Sequence, residues 1–211
     1  MNNRDIFQNI YLNERWSRTS NEEIELSEKF GFDHVPESGA GSVVAYSQPW
    51  INAVNEYIAK DDVQTILDIG SGDFNLSKEL DLLGKTYIGL DVAPYIYEKT
   101  SVAYTTSNVS FMLGDAVTMD LPAADLIICK DVFIHQDNAS ILTLLEKVEA
   151  TAKYALIANC YLPSVDNPDT ENGIYRPLNL DTAPFNKSYT LRETWPSVNS
   201  VKSIHVFEKQ A

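Results

Sequence analysis

The sequence predicts an α/β fold, a doubly wound and mostly parallel sheet behind an N-terminal helical cap. Short apolar runs recur between Thr65 and Cys160, with stretches of helical period between them, as parallel strands joined by crossover helices require. The first run turns at Gly70-Ser71-Gly72, the sharp bend expected where a first strand meets a first helix. After Cys160 the alternation stops, and the chain closes on two strand-like runs joined by a short link, an antiparallel pair.

Residues 1–60 form the expected cap. Ile6, Ile10 and Tyr11 recur at helical spacing, as do Trp50, Ile51, Val54, Tyr57 and Ile58. Between them, Pro36-Glu37-Ser38-Gly39-Ala40-Gly41-Ser42 is too rich in glycine and proline for regular structure. Residues 61–211 form the expected core. Its first strand is Thr65 to Ile69, followed by a helical stretch with Phe74, Leu76, Leu80 and Leu83 that closes at Gly84. A second strand, Thr86 to Asp91, leads to a helix after Pro94, and a third, Val109 to Leu113, leads into Gly114-Asp115. The fourth strand is Ala124 to Lys130, a helix runs near Ala139 to Thr151, and the fifth strand is Tyr154 to Cys160. Residues 161–188, broken by Pro163, Pro168, Pro177 and Pro184, have no period and read as an acceptor-side loop. The final strands are Tyr189 to Trp195 and Val201 to Glu208, linked by Pro196 to Ser200.

At 211 residues the chain suits one domain with a substantial core. Acidic residues outnumber basic ones 30 to 16, for a net charge of -14. No lysine or arginine cluster offers the positive stripe that nucleic acid needs, whereas the acid surplus suits a cationic ligand. No apolar run is long enough to span a bilayer, and Met1-Asn2-Asn3-Arg4-Asp5 lacks the start of a secretory signal, so a cytoplasmic location is expected. Cys129 and Cys160 end apolar runs and read as small core residues. His34 and His205 read as packing or surface residues.

A glycine turn alone serves many α/β proteins. Here Asp91 closes the second strand, where an acid commonly holds two ribose hydroxyls. Nicotinamide cofactors and S-adenosylmethionine both want that acid, and charge separates them. A dinucleotide lays its pyrophosphate over the loop, where neighbouring anions repel it. This loop carries Asp68 before it and Asp73 within it, with Asn75 replacing a third glycine. S-adenosylmethionine has no phosphate and brings an ammonium and a sulfonium, which suit carboxylates. Gly114-Asp115-Ala116 adds an acid and a backbone amide for an adenine ring; singly, Asp115 is as well read as a turn cap.

The runs Leu67-Asp68-Ile69-Gly70-Ser71-Gly72-Asp73-Phe74-Asn75, Tyr87-Ile88-Gly89-Leu90-Asp91 and Asp125-Leu126-Ile127-Ile128-Cys129-Lys130-Asp131 together resemble the class I methyltransferase core over residues 64–160. That resemblance implies a seven-stranded sheet with a reversed final strand and S-adenosylmethionine as cofactor. It implies Asp68, Gly70 and Gly72 at the methionine part, Asp91 at the ribose, and Asp115 with Ala116 at the adenine. Ser71, Asp73, Asn75, Val92 and Lys130, on the same loop and strand ends, complete the candidate cofactor set. Phe74 and Asn75 depart from the commoner third glycine. A narrower likeness rests on Ser38-Gly39-Ala40-Gly41-Ser42, Gly72-Asp73-Phe74-Asn75, Tyr175-Arg176-Pro177-Leu178-Asn179-Leu180 and Pro184-Phe185-Asn186. These segments resemble a bacterial class I methyltransferase group, which implies glycan or small-metabolite modification.

Methyl transfer is an in-line displacement, so the enzyme mainly aligns the acceptor and excludes water. An alcohol acceptor needs a base, whereas an amine needs mainly a lone pair. His135, just beyond the fourth strand, is the first candidate base, with packing at a helix start its alternative. Asp131 is the second, as a base or as an acceptor-orienting group. Asp131, His135 and Asp137 lack a strong ligand spacing, so no metal is expected. In the late loop, Arg176 suits an anionic group, Asn179 and Asn186 suit hydroxyls, and Tyr175 suits a pocket wall; surface pairing or loop anchoring are their alternatives. The expected activity is an O-methyltransferase on a small polar acceptor such as a sugar or a phosphorylated precursor. An N-methyltransferase or a non-catalytic cofactor-binding protein are the rivals.

Overall fold

The computed structural model describes residues 2–17, 35–196 and 201–210. Helices α1 (Asn3–Leu12), α2 (Gln48–Ile58), α3 (Pro94–Tyr104) and α4 (Asn138–Thr151) accompany seven strands. These are β1 (Thr65–Ile69), β2 (Thr86–Asp91), β3 (Val109–Leu113), β4 (Leu126–Lys130), β5 (Tyr154–Tyr161), β6 (Thr190–Pro196) and β7 (Val201–Glu208). They form one sheet in the order β3-β2-β1-β4-β5-β7-β6. β1 to β5 pair in parallel, and β7 runs antiparallel between β5 and β6. The strand order therefore reverses between β1 and β4, which opens a crevice at their carboxyl ends. His34 lies outside the described residues, as do residues 197–200 of the link that the sequence places between the last two strands.

The central strands are continuously apolar because both faces are covered. On one face α2 packs Trp50, Val54 and Ile58 against Ile66, Leu126 and Leu156. On the other, α4 packs Ile141, Leu144, Leu145 and Val148 against Leu67, Ile127 and Ile157. Each such side chain contributes about 1.5–3 kcal/mol on leaving water. The helix starts are locally encoded. Asn2 accepts from the Asp5 amide, Asp137 accepts from the Ser140 amide, and Pro49 and Pro94 stand in the first turns of α2 and α3. A third cluster, Phe7, Ile10 and Tyr11 with Ala93 and Ile96, lays α1 across α3 and over the crevice. Among the described residues no helix is long and apolar enough to cross a membrane.

Two sequence expectations change. The helix expected over Phe74 to Leu83 is only a 3-10 turn at Ser77–Glu79. Phe74 has φ 62, outside helical space, because its ring turns inward onto Tyr87 and Phe111; Leu83 is 90% exposed, so the apolar spacing there marks no buried stripe. The fourth strand starts at Leu126 rather than Ala124, because the Asp125 carboxylate is occupied by the amides of Gln64 and Thr65. Residues 161–188 are an ordered loop. Leu178, Leu180 and Phe185 are buried against the α4 face of the sheet, and Asn167 binds the loop to itself. The Asn167 amide nitrogen donates to the carbonyls of Asn179 and Ala183 and to Thr182 Oγ1, while its oxygen accepts from the Asn179 amide.

Asn167→Ala leaves those buried groups without partners and should lower the unfolding free energy by about 2–3 kcal/mol. Urea unfolding of the two proteins measures it; a change under about 0.5 kcal/mol would show that the loop does not depend on this residue.

Candidate active site

The crevice is a cavity of about 700 Å³ at the carboxyl ends of the central strands. Its floor is the turn after β1. The amides of Gly70 and Ser71 both donate to the Leu90 carbonyl, at 2.8 and 3.2 Å, and the Gly72 amide donates to Asp91 Oδ2 at 3.0 Å. This path needs left-handed residues, and Gly70 and Gly72 have φ 71 and 55. A Cβ on Gly70 would stand 2.3 Å from Val132 Cγ2, and one on Gly72 2.2 Å from Ser38 Oγ, so neither position has room for a side chain.

Acidic side chains surround the floor. Asp91 is buried, its other oxygen accepts the Ala93 amide, and burial pushes its carboxyl up to about 6. Asp68 accepts from Ser77 Oγ at 2.6 Å and from the Tyr87 hydroxyl at 2.5 Å, and burial likewise raises its carboxyl above the ordinary value. Asp115 accepts from the Val117 amide and, at 3.1 Å, from the Asn3 side chain on α1. Asp73 and Ser38 bond reciprocally: the Ser38 amide donates to Asp73 Oδ2, and the Asp73 amide donates to Ser38 Oγ. This clasp brings the glycine-rich loop of residues 38–42 over the turn, where Lys130 Nζ donates to the Gly41 carbonyl at 2.7 Å. Val92 and Ala116 line the same cavity.

A cofactor of adenosine and methionine parts fits this cradle. The turn, bare of side chains at Gly70 and Gly72, admits a close approach, and the carboxylates of Asp68 and Asp73 stand before and after it. The turn amides are already given to Leu90 and Asp91, so no free amide nest faces a pyrophosphate. Asn75 departs from expectation. Its amide donates to the Ser42 carbonyl and its oxygen accepts from Lys78, so it ties two loops together outside the cavity.

On the acceptor side, Asp131 has φ 59 and is gripped by two lysines, Lys130 Nζ at 2.6 Å and Lys202 Nζ at 2.5 Å. Those cations overcome its burial and hold its carboxyl well below the usual carboxylate range. Asp131 is thus a fixed anion and a poor base, contrary to one sequence reading. Burial pushes His135 down to about 4. Its ring stands 5.1 Å from Trp16 and 6.2 Å from the half-exposed Tyr175, and its Nδ1 is buried with no hydrogen-bond partner among the described residues.

The polar residues of the late loop mostly face away. Arg176 is buried and donates to the carbonyls of Pro168 and Gln136 and to Asn138 Oδ1, none of them in an acceptor position. Asn179 holds the Pro163 carbonyl and the Asp181 amide. Asn186 is exposed at a left-handed turn. These three replace expected substrate contacts with loop architecture, because a loop buried this far must satisfy its own backbone. Sequence reasoning missed Tyr11, Trp16 and Lys202, which line the cavity. Lys202 had a readable signal: it shares a strand face with Ile204 and Val206, an unexpected place for a cation.

Residues 67–149 match a family model described as a methyltransferase domain. No curated protein sequence matches the chain. Among solved structures, it resembles magnesium protoporphyrin IX methyltransferase from Synechocystis PCC 6803 with bound SAH, at 14% identity and TM-score 0.62 over 98% of both chains. It also resembles the N-methyltransferase NodS from Bradyrhizobium japonicum WM9, at 12% identity and TM-score 0.61 over 79% of this chain and 97% of that one. Human N-acetylserotonin methyltransferase in complex with SAM aligns at 17% identity and TM-score 0.53, over 96% of this chain and 66% of the other. The shared feature is the fold.

The His135 environment makes a direct prediction. A base whose folded pKa is depressed stays neutral until the pH falls to that value, so its imidazole should titrate near 4, with the unfolded chain titrating near 6.5. NMR titration of the folded protein reads the midpoint, and a value near 6.5 would contradict the buried setting.

Proposed function

We propose that this chain, an enzyme with a methyltransferase domain and S-adenosylmethionine as its cofactor, methylates an oxygen of a small-molecule acceptor. The observation that carries the reading is the acidic cradle. Asp91, bonded to the Gly72 amide at the end of β2, and Asp115, one strand further out after β3, line one cavity with a turn whose Gly70 and Gly72 have no room for a side chain. In this reading Asp91, with Val92 beside it, takes the ribose hydroxyls, and Asp115 with Ala116 takes the adenine. Asp68, Ser71 and Asp73 surround the methionine part, and Lys130 meets its carboxylate. When bound, the cofactor supplies a methyl group on a positively charged sulfur.

The chain's own residues do the remaining work. The Ser38–Asp73 clasp and α1 exclude water from the turn. Trp16 and Tyr175 flank His135 and form walls for the acceptor. His135 is neutral near pH 7, and its Nδ1, unpaired among the described residues, suits an acceptor group that needs orienting. A small metabolite, including a sugar derivative or phosphorylated precursor, is in keeping with the cavity's size and with the narrower sequence resemblance.

Asp91→Ala removes both the proposed ribose contact and the anchor of the Gly72 amide. Its affinity for S-adenosylhomocysteine, measured by calorimetry, should fall at least about tenfold, or 1.4 kcal/mol. An unchanged affinity would remove Asp91 from the cofactor site.

A further inference from the structure

Lys202 comes from β7, a strand that contributes nothing else charged to the cavity, and its side chain is almost wholly buried. It shares Asp131 with Lys130, so two ammonium groups grip one carboxylate. The Lys130 ammonium has a second partner in the Gly41 carbonyl, whereas Asp131 is the only hydrogen-bond partner of the Lys202 ammonium among the described residues. An ammonium carries three donors, and burying one with donors unspent is costly. The remaining surroundings, Trp50, Tyr46 and Cys160, are weakly polar, so charge here acts over a low local dielectric. Two ammonium groups around one carboxylate stand out in a chain of net charge -14.

We propose that the acceptor reaches this active site as an oxyanion, a carboxylate or an ionised hydroxyl, with its charge against Lys202. The inference rests on the methyltransferase reading and adds the chemical class of the acceptor. It follows from what the cavity offers and lacks. Asp131 is spent on two lysines, and His135 is a weak base in its buried setting, so neither candidate base among the described residues is poised to deprotonate a neutral alcohol. An oxyanion needs none. Its lone pair forms the O–CH3 bond as the C–S bond breaks, that bond's electrons stay on sulfur, and no proton moves. Oxyanion and sulfonium become a neutral ester or ether and a neutral thioether. An amine acceptor would instead gain positive charge beside two ammonium groups and would have to shed a proton. Lys202 is then a specificity residue that selects the anion and holds it, while Trp16 and Tyr175 accommodate its apolar body.

Three probes of one shape and different charge test this: benzoate, benzamide and benzylamine, titrated by NMR into protein saturated with S-adenosylhomocysteine. Benzoate should bind at least about tenfold more tightly than the other two. Lys202→Met should erase that preference and Lys202→Arg should keep it, with S-adenosylhomocysteine affinity within about threefold of wild type in both. Benzamide or benzylamine binding as tightly as benzoate in the wild-type protein would overturn the proposal, and so would no measurable benzoate binding. If Lys202→Met weakens S-adenosylhomocysteine tenfold but leaves 5'-methylthioadenosine unaffected, the lysine serves the cofactor's carboxylate and the proposal also fails. A wild-type protein that takes up no S-adenosylhomocysteine would instead refute the cofactor reading, and the charge preference would still be readable on the unloaded protein.

Discussion

Three backbone amides tie the end of β1 to the end of β2, and the site depends on them. With Gly70 and Ser71 bonded to the Leu90 carbonyl and Gly72 bonded to Asp91, the turn has one path open to it, and that path requires left-handed residues. The cost is a buried carboxylate whose ionisation is disfavoured. The gain is a floor bare of side chains at Gly70 and Gly72, flanked by acids, with its backbone amides already bonded within the chain. The same geometry presents Asp73 to Ser38, whose reciprocal bonds carry the 38–42 loop into place and bring Gly41 under Lys130.

The roof is tied to the floor by side-chain amides. Asn3 on α1 donates to Asp115 and accepts from Asn172, and Asn172 in turn accepts from the Asp137 amide at the start of α4. The Asp115 end of the cradle, the N-terminal helix and the 161–188 loop therefore share one hydrogen-bonded chain. Gly173 and Arg176 donate backbone bonds to His135 and Ile134, which sets Tyr175 beside His135. Polar networks of this kind act as units, since each bond fixes the geometry of the next.

The strands and the acids that line the crevice were legible in the sequence because buried parallel strands are apolar on both faces and end abruptly at glycine and aspartate. Asp68, Asp91 and Asp115 stand where the order of strands puts them. The helix expected over residues 74–83 failed because apolar spacing cannot distinguish a helix from turns that bury Phe74 and Leu80 separately. Arg176, Asn179 and Asn186 misled for another reason: polar residues in a long loop look available to a ligand, yet this loop spends them on its own carbonyls and turns. Lys202 lies far from the glycine turn in sequence and reaches the site only through the reversed last strand, so its role depends on topology rather than on any local motif.

The central claim is that the acidic cradle selects a sulfonium cofactor over a dinucleotide. Calorimetry of the same purified protein with S-adenosylhomocysteine and with NAD tests it most directly. S-adenosylhomocysteine should bind with a dissociation constant of roughly micromolar order, and NAD at least about a hundredfold more weakly. No binding of S-adenosylhomocysteine at millimolar concentration, or NAD binding as tightly, would contradict the account.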